Sequence, residues 1–100
     1  MNIRIAKIAR QEFNEAKEFY EIEQAGLGAR FEKEIKNAIL RIKQFPSAWT
    51  IERGDVRHYL VHKFPYKILY SIHQDDIVIL AFAHQHRQPD YWIDRIKEII

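Results

Sequence analysis

Chemistry-bearing side chains crowd into one stretch of this chain. All five histidines, at 58, 62, 73, 84 and 86, fall there beside Lys67, Arg87 and Tyr91. An imidazole exchanges protons near neutral pH, lysine and arginine stabilise negative charge, and a phenol can hold or release a proton. Such a set could supply a base, a cationic clamp and an acid for breaking a phosphodiester. His84-x-His86 also suggests a metal pair, but no carboxylate stands nearby at a suitable spacing and the chain has no cysteine. No metal and no cofactor are expected. A plainer reading has His84 and Arg87 bonding a sheet to a final helix, since buried polar groups must find partners.

The elements that would position these groups follow from periodicity. Asn2 to Ala6 alternates as a short strand, with Ile3 and Ile5 on one side. From Ile8 to Gln24 the pattern turns helical: Ala9, Phe13, Ala16 and Tyr20 recur at steps of four and three, while Glu12, Glu15, Glu18 and Glu21 face away. Gly26 and Gly28 interrupt it. A second helix carries Leu27, Phe31, Ile35, Ala38, Ile42 and Phe45 on one side and ends at Pro46. So short a connection predicts an antiparallel helical hairpin, packed on a sheet rather than coiled with a partner.

Residues 47–55 read as a polar connection, followed by strands over 56–64, 66–73 and 77–83. A tight turn at Asp75 and Asp76 would pair Ile72 with Ile79, Tyr70 with Ala81 and Ile68 with Ala83 on the face toward the helices. The small alanines would admit the hairpin closely. The other face would then pair Leu69 with Phe82 and Lys67 with His84. A turn at Phe64-Pro65 would add His62 across from Lys67. His62, Lys67 and His84 thus form an expected row on the face away from the helices. Beyond it, Pro89 suits the start of a terminal helix with Trp92, Ile96 and Ile99 or Ile100 as its apolar stripe, leaving the Tyr91 hydroxyl near the row.

The 100 residues make one domain, of α+β class: a small antiparallel sheet with an N-terminal strand, a helical hairpin on one face and a C-terminal helix, in the order βααβββα. Lysine and arginine exceed aspartate and glutamate by two. That weak basic balance permits nucleic-acid contact without demanding it. The longest apolar run, Ile77 to Ala83, is too short to span a bilayer. The first ten residues lack the apolar core of a signal peptide. No membrane association and a cytoplasmic location are expected.

Certain residues narrow the class further. GLGARF between the helices, KFPYKILY, and ILAFAHQHRQPDYW with its H-x-x-R-x-P-x-Y-W pattern together resemble the RelE/ParE superfamily of toxins from bacterial type II toxin-antitoxin modules, and its ParE-like branch in particular. The resemblance spans nearly the whole chain. It implies a growth-inhibiting toxin of plasmid-stabilisation type with a cognate antitoxin as partner, whose disordered segment folds on the toxin, in a homodimer or a toxin-antitoxin heterotetramer. It implies two alternative targets: DNA gyrase, as for ParE-like toxins, or messenger RNA in the ribosome, as for RelE-like endoribonucleases. In the second case His84 or His62 would act as base, Lys67 and Arg87 would hold the phosphate, and Tyr91 or His86 would protonate the leaving group. Lys67 falls where RelE-like toxins carry a strand arginine, and Tyr91 lies near their C-terminal tyrosine. The departure is His58 and His62 in place of the denser cations of the middle strand, which weakens attraction to RNA.

Overall fold

A computed structural model describes residues 1–98. In chain order it contains β1 (Asn2–Ile5), α1 (Lys7–Glu23), α2 (Leu27–Gln44), β2 (Thr50–Arg53), β3 (Val56–Leu60), β4 (Tyr66–His73), β5 (Asp76–His84) and a 3₁₀ helix (Ile93–Glu98). The strands form one sheet in the order β1-β5-β4-β3-β2. The helical hairpin packs on one face of it, as the sequence pattern predicts. Two details differ. β1 runs parallel to β5, so the otherwise antiparallel sheet is mixed, and part of the supposed polar connection forms the extra edge strand β2.

The hairpin is built from its apolar spacing. Ala9 and Ala16 of α1 and Phe31, Ile35, Ala38 and Ile42 of α2 are buried, and Phe31 sits within 5.2–5.8 Å, ring centre to ring centre, of Phe13, Tyr20, Phe64 and Tyr66. Phe45, expected to extend this stripe, lies past the end of α2 and is exposed. Gly28 allows the helices to touch: a Cβ there would stand 2.8 Å from the Lys17 carbonyl oxygen. Glu21, expected in solvent, instead accepts hydrogen bonds from the backbone N–H groups of Gly26 and Gly28. It thereby caps the otherwise unsatisfied N-terminus of α2. Tyr70, whose hydroxyl pKa is pushed up to about 12 by burial, donates to the Pro46 carbonyl at 2.6 Å and ties the end of the hairpin to the sheet.

The β4–β5 register departs from expectation. His73 pairs with Asp76, which places the turn at Gln74 and Asp75, with Gln74 left-handed at φ 55°. Tyr70 lies opposite Ile79 and Ile72 opposite Ile77, a shift of two that keeps the expected faces. A bulge then adds Leu80, and beyond it Ile68 faces Phe82 while Leu69 faces Ala81. One extra residue exchanges the two faces for the rest of the strand. Phe82 therefore turns to the helices, 5.8 Å from Phe13. Ala81 and Ala83 turn to the opposite face, where Val56, Leu69, Val78, Leu80 and the buried Trp92 form a second core. The alanines make room for Trp92, not for the hairpin.

The end of the chain also differs. Turns occupy 89–92, Asp90 has φ 63°, and the helix that follows is of 3₁₀ type, with Arg95 N–H bonded to the Trp92 carbonyl. A left-handed residue at 90 prevents an α-helix from starting at Pro89. Trp92 docks as expected, with Ile93 and Ile96 packed beside it; Ile99 and Ile100 lie outside the described residues.

Candidate functional site

The expected row of His62, Lys67 and His84 does not form. The bulge at Leu80 puts His84 opposite Tyr66, their rings 5.2 Å apart, while the adjacent Ala83 faces Lys67. His84 and Lys67 therefore occupy opposite faces. The turn after β3 is also longer than Phe64-Pro65 alone: Leu60, not His62, pairs with Lys67. His62 stands in the connecting loop, on the wall of a cavity of about 410 Å³ shared with Glu34, Asn37, Arg41 and Tyr59.

The exit from β5 does gather four of the six candidates. The Gln85 N–H bonds the Pro65 carbonyl at 2.8 Å and the Arg87 N–H bonds the His84 carbonyl at 2.9 Å. The His86 N–H donates to His84 Nδ1 at 3.1 Å, and the two imidazoles lie 5.2 Å apart. The Arg87 guanidinium sits over the Tyr91 ring at 4.2 Å, and Arg95 approaches the same ring at 4.9 Å. Cation–ring contacts of this kind stabilise by electrostatic attraction to the ring face.

Glu12 of α1 is the residue around which this region closes. Its carboxylate accepts the Tyr91 hydroxyl at 2.6 Å, two bonds from Arg95 at 2.8 and 3.1 Å, and the Phe82 N–H at 3.2 Å. Arg95 also donates to the Leu80 carbonyl at 3.0 Å. The Glu12 and Arg95 side chains are only 14% and 11% exposed. Their position explains the pairing. β1 ends at Ile5, after which Ala6 N–H reaches the Ile79 carbonyl and the chain leaves for α1. From Leu80 onward β5 has no neighbour on that side, and an unpaired edge leaves backbone donors and acceptors unsatisfied. Glu12 and Arg95 take the place of the missing strand. Glu12 was expected to face solvent with the other glutamates, yet it lies three residues after Ala9 and four before Ala16. That spacing puts it on the border of the buried arc and was the available signal.

These contacts fix protonation. Burial, then the bond to Glu12 and its charge, drive the Tyr91 hydroxyl well above the ordinary phenol range, against the pull of Arg95 and Arg87. Burial works against the charge of Arg95, but Glu12 outweighs it and the net shift is upward. His84 Nδ1 is occupied as the acceptor of the His86 backbone N–H.

A second cluster lies on the face away from the helices. Glu52, at the irregularity between Ile51 and Arg53 of β2, accepts from Lys67 at 2.9 Å and meets His58 Nδ1 at 2.6 Å. Burial raises the Glu52 carboxyl, but Lys67 and His58 together bring it below the ordinary range. Lys67 is thus matched by a carboxylate. Among the described residues, no three His, Asp or Glu side chains are arranged to hold a metal ion.

The sequence of residues 3–89 matches the family model described as ParE toxin of type II toxin-antitoxin system, parDE. The chain belongs to the ParE toxin family. The matched part of this ParE-family toxin includes both helices, β1 from Ile3, the other four strands and the exit turn through Pro89, and ends before Tyr91, Trp92 and Arg95. A solved structure described as the chromosomal ParDE TA system from P. aeruginosa has the same fold. That match has a TM-score of 0.65 at 13% identity and covers 84% of this chain and 95% of the other. No curated protein matches significantly in sequence. No described helix of the toxin is long and apolar enough to cross a membrane.

Proposed function

We propose that this ParE-family toxin arrests growth in the cytoplasm by binding and inhibiting DNA gyrase without chemistry of its own, and that a cognate antitoxin neutralises it in a toxin-antitoxin heterotetramer. The observation that carries the reading is the commitment of the polar groups at the exit. The hydroxyl of Tyr91 is given to Glu12, the Nδ1 lone pair of His84 to a backbone N–H, and Lys67 to Glu52 on the other face. A general acid, a base and a phosphate-binding cation must be within reach of the same substrate and free to act; Lys67 lies on the opposite face from His84, and each of the three is engaged by a protein partner. Family membership supports the toxin and antitoxin parts of the reading.

One observation favours the second reading, a ribosome-dependent, metal-independent endoribonuclease. His86 and Arg87 are exposed side by side on the exit turn, where they could meet a phosphate. The test is brief induction in cells, with messenger 5′ ends and plasmid supercoiling measured on the same culture. The gyrase reading expects relaxed plasmid and intact messages; codon-phased cuts with normal plasmid topology would replace it with the nuclease.

A further inference from the structure

Helix α2 carries a one-sided run of positive charge that neither the core nor the exit cluster uses. Arg30, Lys33, Lys36, Arg41 and Lys43 are exposed, while Phe31, Ile35, Ala38 and Ile42 turn inward. At 1.5 Å per residue the run extends about 20 Å. The two carboxylates of the helix do not cancel it. Glu32 is bonded to Lys17 of α1 at 2.8 Å and reaches one cation of the run, Lys36, at 3.8 Å, while Glu34 lies 3.8 Å from Lys63 of the loop before β4. Among the described residues, Arg30, Lys33, Arg41 and Lys43 have no carboxylate within ion-pair distance.

Like charges three and four residues apart repel along a helix, and this face holds such spacings at 30/33 and 33/36. An anionic partner would relieve that repulsion. The loop of residues 61–65 runs beside α2 and extends the surface through two hollows of about 410 Å³ each. Asn37, Arg41, Tyr59 and His62 line one, Arg30, Lys33, Lys63 and Phe64 line the other, and Glu34, 3.8 Å from Lys63, stands on the wall of both. Cations repeating at about one helical turn over 30, 33 and 36 and continuing at 41 and 43, with neutral donors and aromatic rings among them, suit a chain of phosphates.

We propose that the exposed face of α2, with its adjoining loop, binds the phosphodiester backbone of a nucleic acid without reading its sequence. This does not depend on whether gyrase is the toxin's target, because it concerns the isolated protein and a face remote from the exit turn in sequence.

The test is fluorescence anisotropy with purified full-length toxin and two labelled probes, a 20-base-pair DNA duplex and a single-stranded RNA of the same sequence, across a salt series. If four cations engage duplex phosphates, log affinity falls against log salt with a slope of about −3.6, or roughly 100-fold between 50 and 200 mM. The triple variant Arg30→Gln, Lys33→Gln, Arg41→Gln should reduce that slope by about three. A control removing equal charge elsewhere, Arg4→Gln, Lys7→Gln, Lys97→Gln, should leave the slope near the parent's. Circular dichroism establishes that both variants keep their helices. Binding of DNA, RNA or both with this pattern supports the proposal, and the two probes say which polymer is preferred. No binding, equal loss in both variants, or binding of polyglutamate in place of either nucleic acid would overturn it.

Discussion

Two carboxylates of this toxin, Glu12 with three partners and Glu52 with two, gather the polar groups around them, and the difference between them shows what those groups do. Glu12 is nearly enclosed, takes both arms of Arg95 and the Tyr91 hydroxyl, and satisfies the open edge of β5. Glu52 lies on the opposite face, holds Lys67 and His58, and joins the edge strand β2 to its neighbours, with side chains 18–26% exposed. The first closes the C-terminal segment over backbone groups that have no other partner. The second ties a short edge to a surface that water still reaches. Interactions of the first kind should be costly to break and those of the second mild.

The largest expected effect is at the first cluster. Glu12→Ala strands Arg95 in a site with little water and frees Tyr91 and the Phe82 N–H, so denaturant unfolding should show a loss of about 3–5 kcal/mol. Trp92→Ala should cost a similar ~3–5 kcal/mol through the cavity left over Ala81 and Ala83. If either loss were below about 1 kcal/mol, the C-terminal segment would not be the fixed part of the sheet described above. An intermediate effect is expected for Gly28→Ala: its Cβ would meet the Lys17 carbonyl at 2.8 Å, and the helices must part at a cost of about 1–3 kcal/mol.

Effects at the second cluster should be small and depend on pH. The folded Glu52 carboxyl is depressed below its ordinary value of 4.5, so its contribution is present above that value and disappears as pH falls through the folded pKa. Glu52→Gln should therefore cost less than about 1 kcal/mol at neutral pH and nothing in acid. Thermal melts of the variant and its parent should converge below pH 4.5. A gap that stays constant with pH would mean that packing, not charge, gives Glu52 its role. Tyr91→Phe, which keeps the ring against Arg87 and Arg95 but deletes the bond to Glu12, should lower stability by about 1 kcal/mol and leave growth arrest intact. Loss of arrest by this variant while it remains folded would give the hydroxyl a chemical duty.

Much of this fold can be read from spacing alone, because burial repeats every three to four residues in a helix and every two in a strand. The two helices follow that rule, and β4 alternates in sequence, while β5 is apolar from Ile77 to Ala83 and buried on both faces. What escaped the pattern are features made by single residues acting at a distance. The bulge at Leu80 has no compositional mark, yet it exchanges the faces of Ala81, Phe82, Ala83 and His84 and so dissolves the row with Lys67 and His62. β2 is four residues long with one of them, Glu52, buried only in part, too short for alternation to emerge. Of the candidate site, His84, His86, Arg87 and Tyr91 were legible as neighbours because they share one turn. Their partners Glu12 and Arg95 were not, since Glu12 is 79 residues from Tyr91 and nothing in either local stretch announces the pairing.

On the reading proposed above, the exit cluster is structural and the toxin acts by binding gyrase. That reading is tested most directly by purified gyrase in a supercoiling assay with parent toxin and the folded His84→Gln, Tyr91→Phe double variant. The account predicts inhibition by both, at toxin concentrations within a few-fold of each other. No inhibition by the parent, together with cleavage of message on translating ribosomes that the double variant fails to perform, would contradict it.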